Sequence, residues 1–338
     1  MVRTGAYAYV KYGYETGDNP VVFGGTATVN KSFGLKTAVS GLTLSTSRQQ
    51  LYKLGQVEPD KFYYGQQKGS LSLDFVLGDV TSGDIFQAIY GAPSGAGTGA
   101  SNHVYGSDTG YGSSKTFVGQ SFTTELGFEG ETDYLIRTFK GCILNTLGIA
   151  ATIGDAVKCT GDVQFGKEDT PSNASGDYTP LAASAETSQP FTFAHGQFSL
   201  NGVVQTQIQD VDISWAQNGD LLYEIGSQQA VAGIKKTLDI TGKFKVAAKD
   251  KTAINALMAQ LAGANYKETW GDKYAGSPEF ELHFTNGVVG NGERKITIIG
   301  KGLGVADHAV SGLEPVEPVF EDINWQIKSA KIVVVNSQ

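Results

Sequence analysis

Apolar and polar residues alternate in short runs along most of this chain. Glycine- or serine-rich turns separate the runs, which predicts strand after strand. Ser40-Gly41-Leu42-Thr43-Leu44 alternates in this way. So do Ser70-Leu71-Ser72-Leu73-Asp74-Phe75-Val76-Leu77 and Val211-Asp212-Ile213-Ser214-Trp215. Further strands are expected at Phe122 to Phe128, Tyr134 to Ile149, Val157 to Phe165, Phe280 to Phe284, Lys295 to Ile299, Ile323 to Ile327 and Lys331 to Val335. Helical spacing is confined to two stretches. Ser82 to Tyr90 sets Ile85 and Ile89 one turn apart, with Ser82 as N-cap. Lys249 to Leu261 sets Ile254, Leu257, Met258 and Leu261 at i, i+3, i+4 and i+7. Gly91 and Gly263 stand where helix stops belong.

The pattern occurs twice, and repeats are sought before any motif. Ser40 to Leu44 is followed by Leu51-Tyr52-Lys53-Leu54-Gly55, and Val211 to Trp215 by Leu222-Tyr223-Glu224-Ile225-Gly226. Without gaps, Leu42 falls on Ile213, Leu44 on Trp215, Leu51 on Leu222, Tyr52 on Tyr223 and Gly55 on Gly226. In both copies two strands, a helix and further strands follow in the same order, so a tandem duplication is expected. Residues 92–119 have no counterpart in the second copy and are expected to form a long glycine-rich loop. The resulting division is an N-terminal arm over 1–30, a first domain over 31–168, a linker over 169–189 and a second domain over 190–338.

Composition agrees with a mainly β fold: 44 glycines and 15 tyrosines stand against two methionines in 338 residues. The formal charge of −8 gives no general cationic surface for gripping nucleic acid. No apolar run reaches the roughly 18–20 residues of a membrane span. The start, Met1-Val2-Arg3-Thr4-Gly5, lacks the apolar centre of a secretory signal, so synthesis in the cytoplasm is expected. Cys142 and Cys159 are expected to be small fillers of a reduced core, although the hairpin between them leaves a pairing open.

Sites for chemistry are scarce. His103, His195, His283 and His308 are scattered without metal-ligand spacing. Gly110 to Thr116 echoes a phosphate loop, but Ser114 occupies the glycine position before Lys115. Gly95 to Ala100 follows a helix where a dinucleotide fingerprint requires a strand. Asp210, Asp212 and Asp220 lie near one strand and its turn, without the ligand order of a calcium loop. No catalytic residue, cofactor or metal site is expected, and the chain is not expected to be an enzyme.

Several segments resemble tail tube proteins of long-tailed, siphovirus-like viruses in a duplicated form. They are Lys11 to Gly17, Asn30 to Leu35, Gly141-Cys142-Ile143-Leu144-Asn145-Thr146-Leu147, and Pro190 to Gly196 with Phe198 to Gly202. The resemblance implies two tandem β-barrel or sandwich domains, each with one short α-helix, that close into rings. Stacked rings would form the tail tube of the virion, a conduit through which DNA leaves without specific binding. A duplicated chain is expected to reach pseudo-sixfold symmetry as a trimer. Its other partners would be a tape-measure protein and tail-end proteins, with no membrane. Phe62, Tyr63 and Tyr64, with Val231 and Ile234, lie in the first hairpin connection of each copy and are expected to contact the next ring. Tyr7, Tyr9, Tyr12 and Tyr14 nearly alternate, on a face that is either core or an arm docking on a neighbouring subunit. The alternatives are another virion β-protein (a tail terminator, baseplate or decoration component) and a carbohydrate-binding β-protein.

Overall fold

The computed structural model describes residues 8–16, 23–54, 57–59, 61–80, 83–93, 102–106, 120–130, 133–181, 189–247, 279–288, 293–311 and 320–335. The first half contains β1 (Ala8–Thr16), β2 (Thr26–Ala27), β3 (Leu35–Leu51) and β4 (Lys61–Val76), then the one-turn helix α1 (Gln87–Tyr90). It continues with β5 (Asn102–Gly106), β6 (Phe122–Glu129), β7 (Tyr134–Thr152) and β8 (Lys158–Glu168). The second half begins with β9 (Gly196–Leu200), β10 (Val203–Val204), β11 (Ile208–Ala216), β12 (Asp220–Leu222), β13 (Ala232–Ile234) and β14 (Asp239–Ala247). It ends with β15 (Glu279–Thr285), β16 (Lys295–Lys301), β17 (Gly304–Ser311), β18 (Phe320–Ile327) and β19 (Ser329–Val335).

The two halves share one strand order. In the first, β1 pairs with β6, β6 with β7, β7 with β8, β8 with β4 and β4 with β3. In the second, β9 pairs with β15, β15 with β16 and β16 with β19. Beyond short breaks those last two strands continue as β17 and β18, followed by β14 and β11. The break before β17 is at Gly302, whose φ of 69° matches the 63° of Gly141 within β7. A left-handed residue turns the strand out of one layer into the other, and glycine adopts that conformation without a Cβ clash.

Each half closes a sandwich on aromatic rings. In the second, Phe198 and Phe280 from one sheet meet Phe244 and Trp325 from the other, with centroids 4.6 to 6.2 Å apart. In the first, Phe33 lies between Phe75 of β4 and Phe122 of β6. Glycine makes room for this bulk across the ladders. Tyr9 is registered opposite Gly127, Phe165 opposite Gly69, Trp325 opposite Gly242 and Phe280 opposite Gly300. A Cβ on any of those four glycines would come within about 2.2 Å of the facing ring. These four glycines therefore serve packing of broad rings on flat backbone.

Three expectations are corrected. Residues 92–119 are not one loop, because Asn102–Gly106 forms β5 and pairs with β19 of the other half. Its Tyr105 is buried beside Phe86, and that apolar contact is what draws the segment onto the sheet. The connection expected at residues 56–69 is mostly strand, since β4 begins at Lys61 and makes a long hairpin with β3. The connection at residues 227–236 likewise includes β13, paired with β12. Helix α1 stops at Gly91, with φ 80°, as expected. Ser82, the second helix over 249–261 and Gly263 lie outside the described residues.

A buried carboxylate fastens β1 to the corner of β7. Glu15 is 1% exposed and accepts hydrogen bonds from the amides of Gly24 and Gly141, at 2.8 and 2.7 Å. The hydroxyls of Ser121 and Thr123 donate to it as well, at 2.6 and 3.0 Å. Glu15→Ala strands these buried donors, so it should lower the unfolding free energy by about 3 kcal/mol or more, read from urea midpoints.

Candidate assembly surface

The two copies are joined edge to edge. Strand β11 pairs antiparallel with the C-terminal part of β7, from Asp210 opposite Thr152 to Ala216 opposite Thr146. Ile213 faces Ile149 and Trp215 faces Leu147, and all four side chains are buried. The register of β7 on β8 shifts between Leu144 and Thr146, which leaves Asn145 as an unpaired bulge residue on that edge. Its free groups serve the other edge. The amide of Gln217 donates to the Asn145 carbonyl at 2.8 Å, and the amide of Gly219 to its side-chain oxygen at 2.8 Å. Helix α1 covers the joint: the Trp215 indole donates to the Tyr90 hydroxyl at 2.7 Å, and the Gln217 side chain to the Ala88 carbonyl at 3.2 Å. Lys235 also donates to that carbonyl, and burial pulls its ammonium pKa down to about 7.

Through this seam the sheet becomes one surface of eleven strands, in which β17 stands at one end and β3 closes the first copy's branch. Its solvent side is polar and built of small residues. Lys158, Thr160 and Asp162 point outward from β8 while Cys159, Gly161 and Val163 are buried, and Thr146 and Ser72 donate to Asp162. Across the seam Asp212 and Ser214 continue that side, and Lys243 pairs with Asp322 at 3.0 Å. Partial burial, reinforced by the neighbouring Asp210, raises the pKa of Asp212, and Lys243 opposes the rise.

The β3–β4 and β12–β13 hairpins are apolar at their tips. Leu51, Tyr52, Leu54 and Val57 are exposed in the first copy, and Leu222, Ile225 and Ile234 in the second. Phe62 is exposed on β4, Val231 is half-buried, and the side chains of Tyr63 and Tyr64 lie outside the described residues. Leu54 and Ile225 were not among the expected contact residues. Their signal was the shared Leu-Tyr-x-Leu/Ile-Gly ending itself, which sets apolar residues on a turn in both copies.

The tyrosine arm is corrected in part. Tyr12 is fully buried and stacks on Phe33, and Tyr14 is buried and donates to the Asp84 carbonyl. Their side chains belong to the chain's own core, because β1 pairs along β6 and leaves that face inward. Burial pushes both phenol pKa values well up. Tyr9 is half-buried, donates to Glu125 and packs on Tyr178, whereas Tyr7 lies outside the described residues.

The structure keeps the other candidates apart. Cys142 and Cys159 are both free and buried, and burial raises both thiol pKa values. His103 lies on β5, His195 on a turn and His283 beside Glu281, while the His308 side chain is outside the described residues. Asp210 and Asp212 share β11 while Asp220 begins β12. Among the described residues no group of three or more His, Cys, Asp or Glu side chains is placed to hold a metal.

The family model described as phage tail tube protein matches residues 5–327, nearly the whole chain. No curated protein matches it.

The seam accounts for an asymmetry between equivalent residues. Trp215 is 0% exposed and Leu44, its counterpart in the repeat, is 47% exposed. In the unassembled chain Trp215→Ala should therefore cost about 3–5 kcal/mol. Leu44→Ala should cost less than about 1 kcal/mol by the same urea titration.

Proposed function

The chain belongs to the phage tail tube protein family, and from that membership we propose how it builds the tube. As a structural subunit of the virion tail, it closes head to tail in threes, so that six similar domains surround a conduit. Rings stack through their apolar hairpin tips, and the genome leaves along the axis. The observation that carries this reading is the β7–β11 seam, where one copy of the strand order already continues into the next through backbone hydrogen bonds. A seam that repeats from chain to chain closes the ring and covers the outer edges of β3 and β17.

The solvent side of the long sheet suits the wall of such a conduit. Its Ser, Thr and Gly positions carry little that would grip a base, and Asp162, Asp210 and Asp212 repel phosphate. Synthesis takes place in the host cytoplasm. The tape-measure protein would occupy the conduit before ejection, and tail-end proteins would cap the stack. The other virion β-protein and the carbohydrate-binding protein are the weaker readings, because the matched family is a tube family.

Purified protein should form rings or tubes in electron micrographs, and the ring should have three times the mass of the 35.8 kDa chain. A ring of six chains would overturn the threefold arrangement and leave the tube standing. Exposed apolar tips predict the stacking contact. Replacing Phe62, Tyr63 and Tyr64 with Ser, or Leu54 and Ile225 with Ser, should stop tubes from lengthening while rings persist. Normal polymerisation of both variants would remove the hairpins from the stacking interface.

A further inference from the structure

The internal seam serves as a template for the joint between chains, because the two copies agree in register where that seam forms, including the bulge on one of its two strands. Strand β18 pairs with β14 as β8 pairs with β4: Ile327 opposite Ile240 matches Phe165 opposite Gly69, and Phe320 opposite Ala247 matches Lys158 opposite Val76. On the next strand the ladder of β17 on β18 shifts between Val305 and Asp307, leaving Ala306 as the bulge. That is the place of Asn145 in β7, between Leu144 and Thr146. Asp307 thus corresponds to Thr146, His308 to Leu147 and Ala309 to Gly148.

The opposite edge agrees from Thr43 onward, whereas before it β3 bulges between Ser40 and Thr43 and β11 runs regularly from Asp210 to Ala216. Thr43 pairs with Ser70 as Ser214 pairs with Thr241. The ladder is irregular between Thr46 and Arg48, and at the matching place in the second copy β11 ends at Ala216 and pairing resumes in β12 at Asp220. Strand β11, the counterpart of β3, is covered on its outer edge by β7. No described strand other than β4 pairs with β3, and none other than β18 pairs with β17. The unequal burial of Leu44 and Trp215 follows, since the strand that faces Trp215 has no counterpart beside Leu44 within one chain.

We propose that β3 of one chain pairs antiparallel with β17 of a second copy of this chain, in the register of the internal seam. That register sets Thr43 opposite Ala309, Leu44 opposite His308 and Ser45 opposite Asp307. The amide of Thr46, the counterpart of Gln217, donates to the carbonyl of Ala306, the counterpart of Asn145. This inference rests on the ring reading above and specifies its joint by residue.

Cysteine pairs test it in assembled protein. Thr43→Cys with Ala309→Cys, and separately Ser45→Cys with Asp307→Cys, introduce thiols at exposed positions, while the native Cys142 and Cys159 are buried. Mild oxidation of assembled rings should convert most chains to covalent multimers in at least one of the two variants, ending at the closed ring. Ala38→Cys with Ala309→Cys sets one thiol four ladder positions out of register across the bulge at 41–42, roughly 13 Å along the strand, and should stay monomeric on a denaturing gel. Hydrogen exchange on the unmodified protein gives a second measure. Amides of 43–46 and 306–309 should gain at least tenfold protection on passing from free chain to ring. Rings that form without either cross-link and without that protection would overturn the joint while the tube reading stands. An unmodified chain that never self-associates would overturn both.

Discussion

Backbone hydrogen bonding along β7 is the constraint on which the rest depends. The strand runs for 19 residues, and its two edges must find partners over nearly that whole length. One edge is taken by β8. The other is divided, with β6 on the N-terminal part and β11 on the C-terminal part. Gly141 bends the strand at the irregularity of the β6 ladder between Phe139 and Cys142, and Asn145 supplies the bulge that hands a carbonyl and a side-chain oxygen to the second copy. A single segment thus carries the corner of the first sandwich and the joint to the second. The Gly-Cys-x-Leu-Asn-x-Leu string condenses these demands into seven positions: the corner, three buried side chains, the bulge and, two residues on, the residue facing Trp215.

The second constraint is space between layers. Broad rings fill both sandwiches, and four of them lie on flat backbone across the ladder. Those four registered pairings of a ring with glycine fix register as well, because a one-residue slip would set a Cβ against the ring. Glu15 holds the N-terminal strand to the same corner of β7 through a carboxylate saturated by four donors. The corner is therefore tied from both sides of the chain.

Exchange between the copies goes beyond the seam. Strand β5 leaves the first copy to extend the sheet of the second at β19, and α1 of the first copy covers Trp215 of the second. The hairpin of β12 and β13 leans back on the first copy, where the Tyr223 hydroxyl donates to the Gln67 carbonyl and the Gln67 amide to the Gln228 carbonyl. The copies are interlocked rather than strung on a linker. Residues between them also pack on the first copy, as the antiparallel bridge of Ser172 with Ile136 illustrates.

By itself the sequence determined the strand-rich fold, the duplication and most strand positions. These follow from alternation and repetition, which are local patterns set by side-chain direction along an extended chain. It also placed helical turns between Ser82 and Tyr90 and their stop at Gly91, although only Gln87–Tyr90 is α-helix and Gly83–Phe86 is a 3-10 turn. Only the tertiary structure decided which edges pair, because ladder hydrogen bonds come from backbone groups that every residue shares. Leu44 and Trp215 occupy the same place in the repeat with the same local pattern, yet one is exposed and the other fully buried. That difference belongs to β7, a strand distant in sequence from β11. For the same reason the glycine-rich segment gave no sign of β5, whose pairing depends on the free edge of β19. The tyrosines of β1 read equally as core or arm until β6 fixed the face they present.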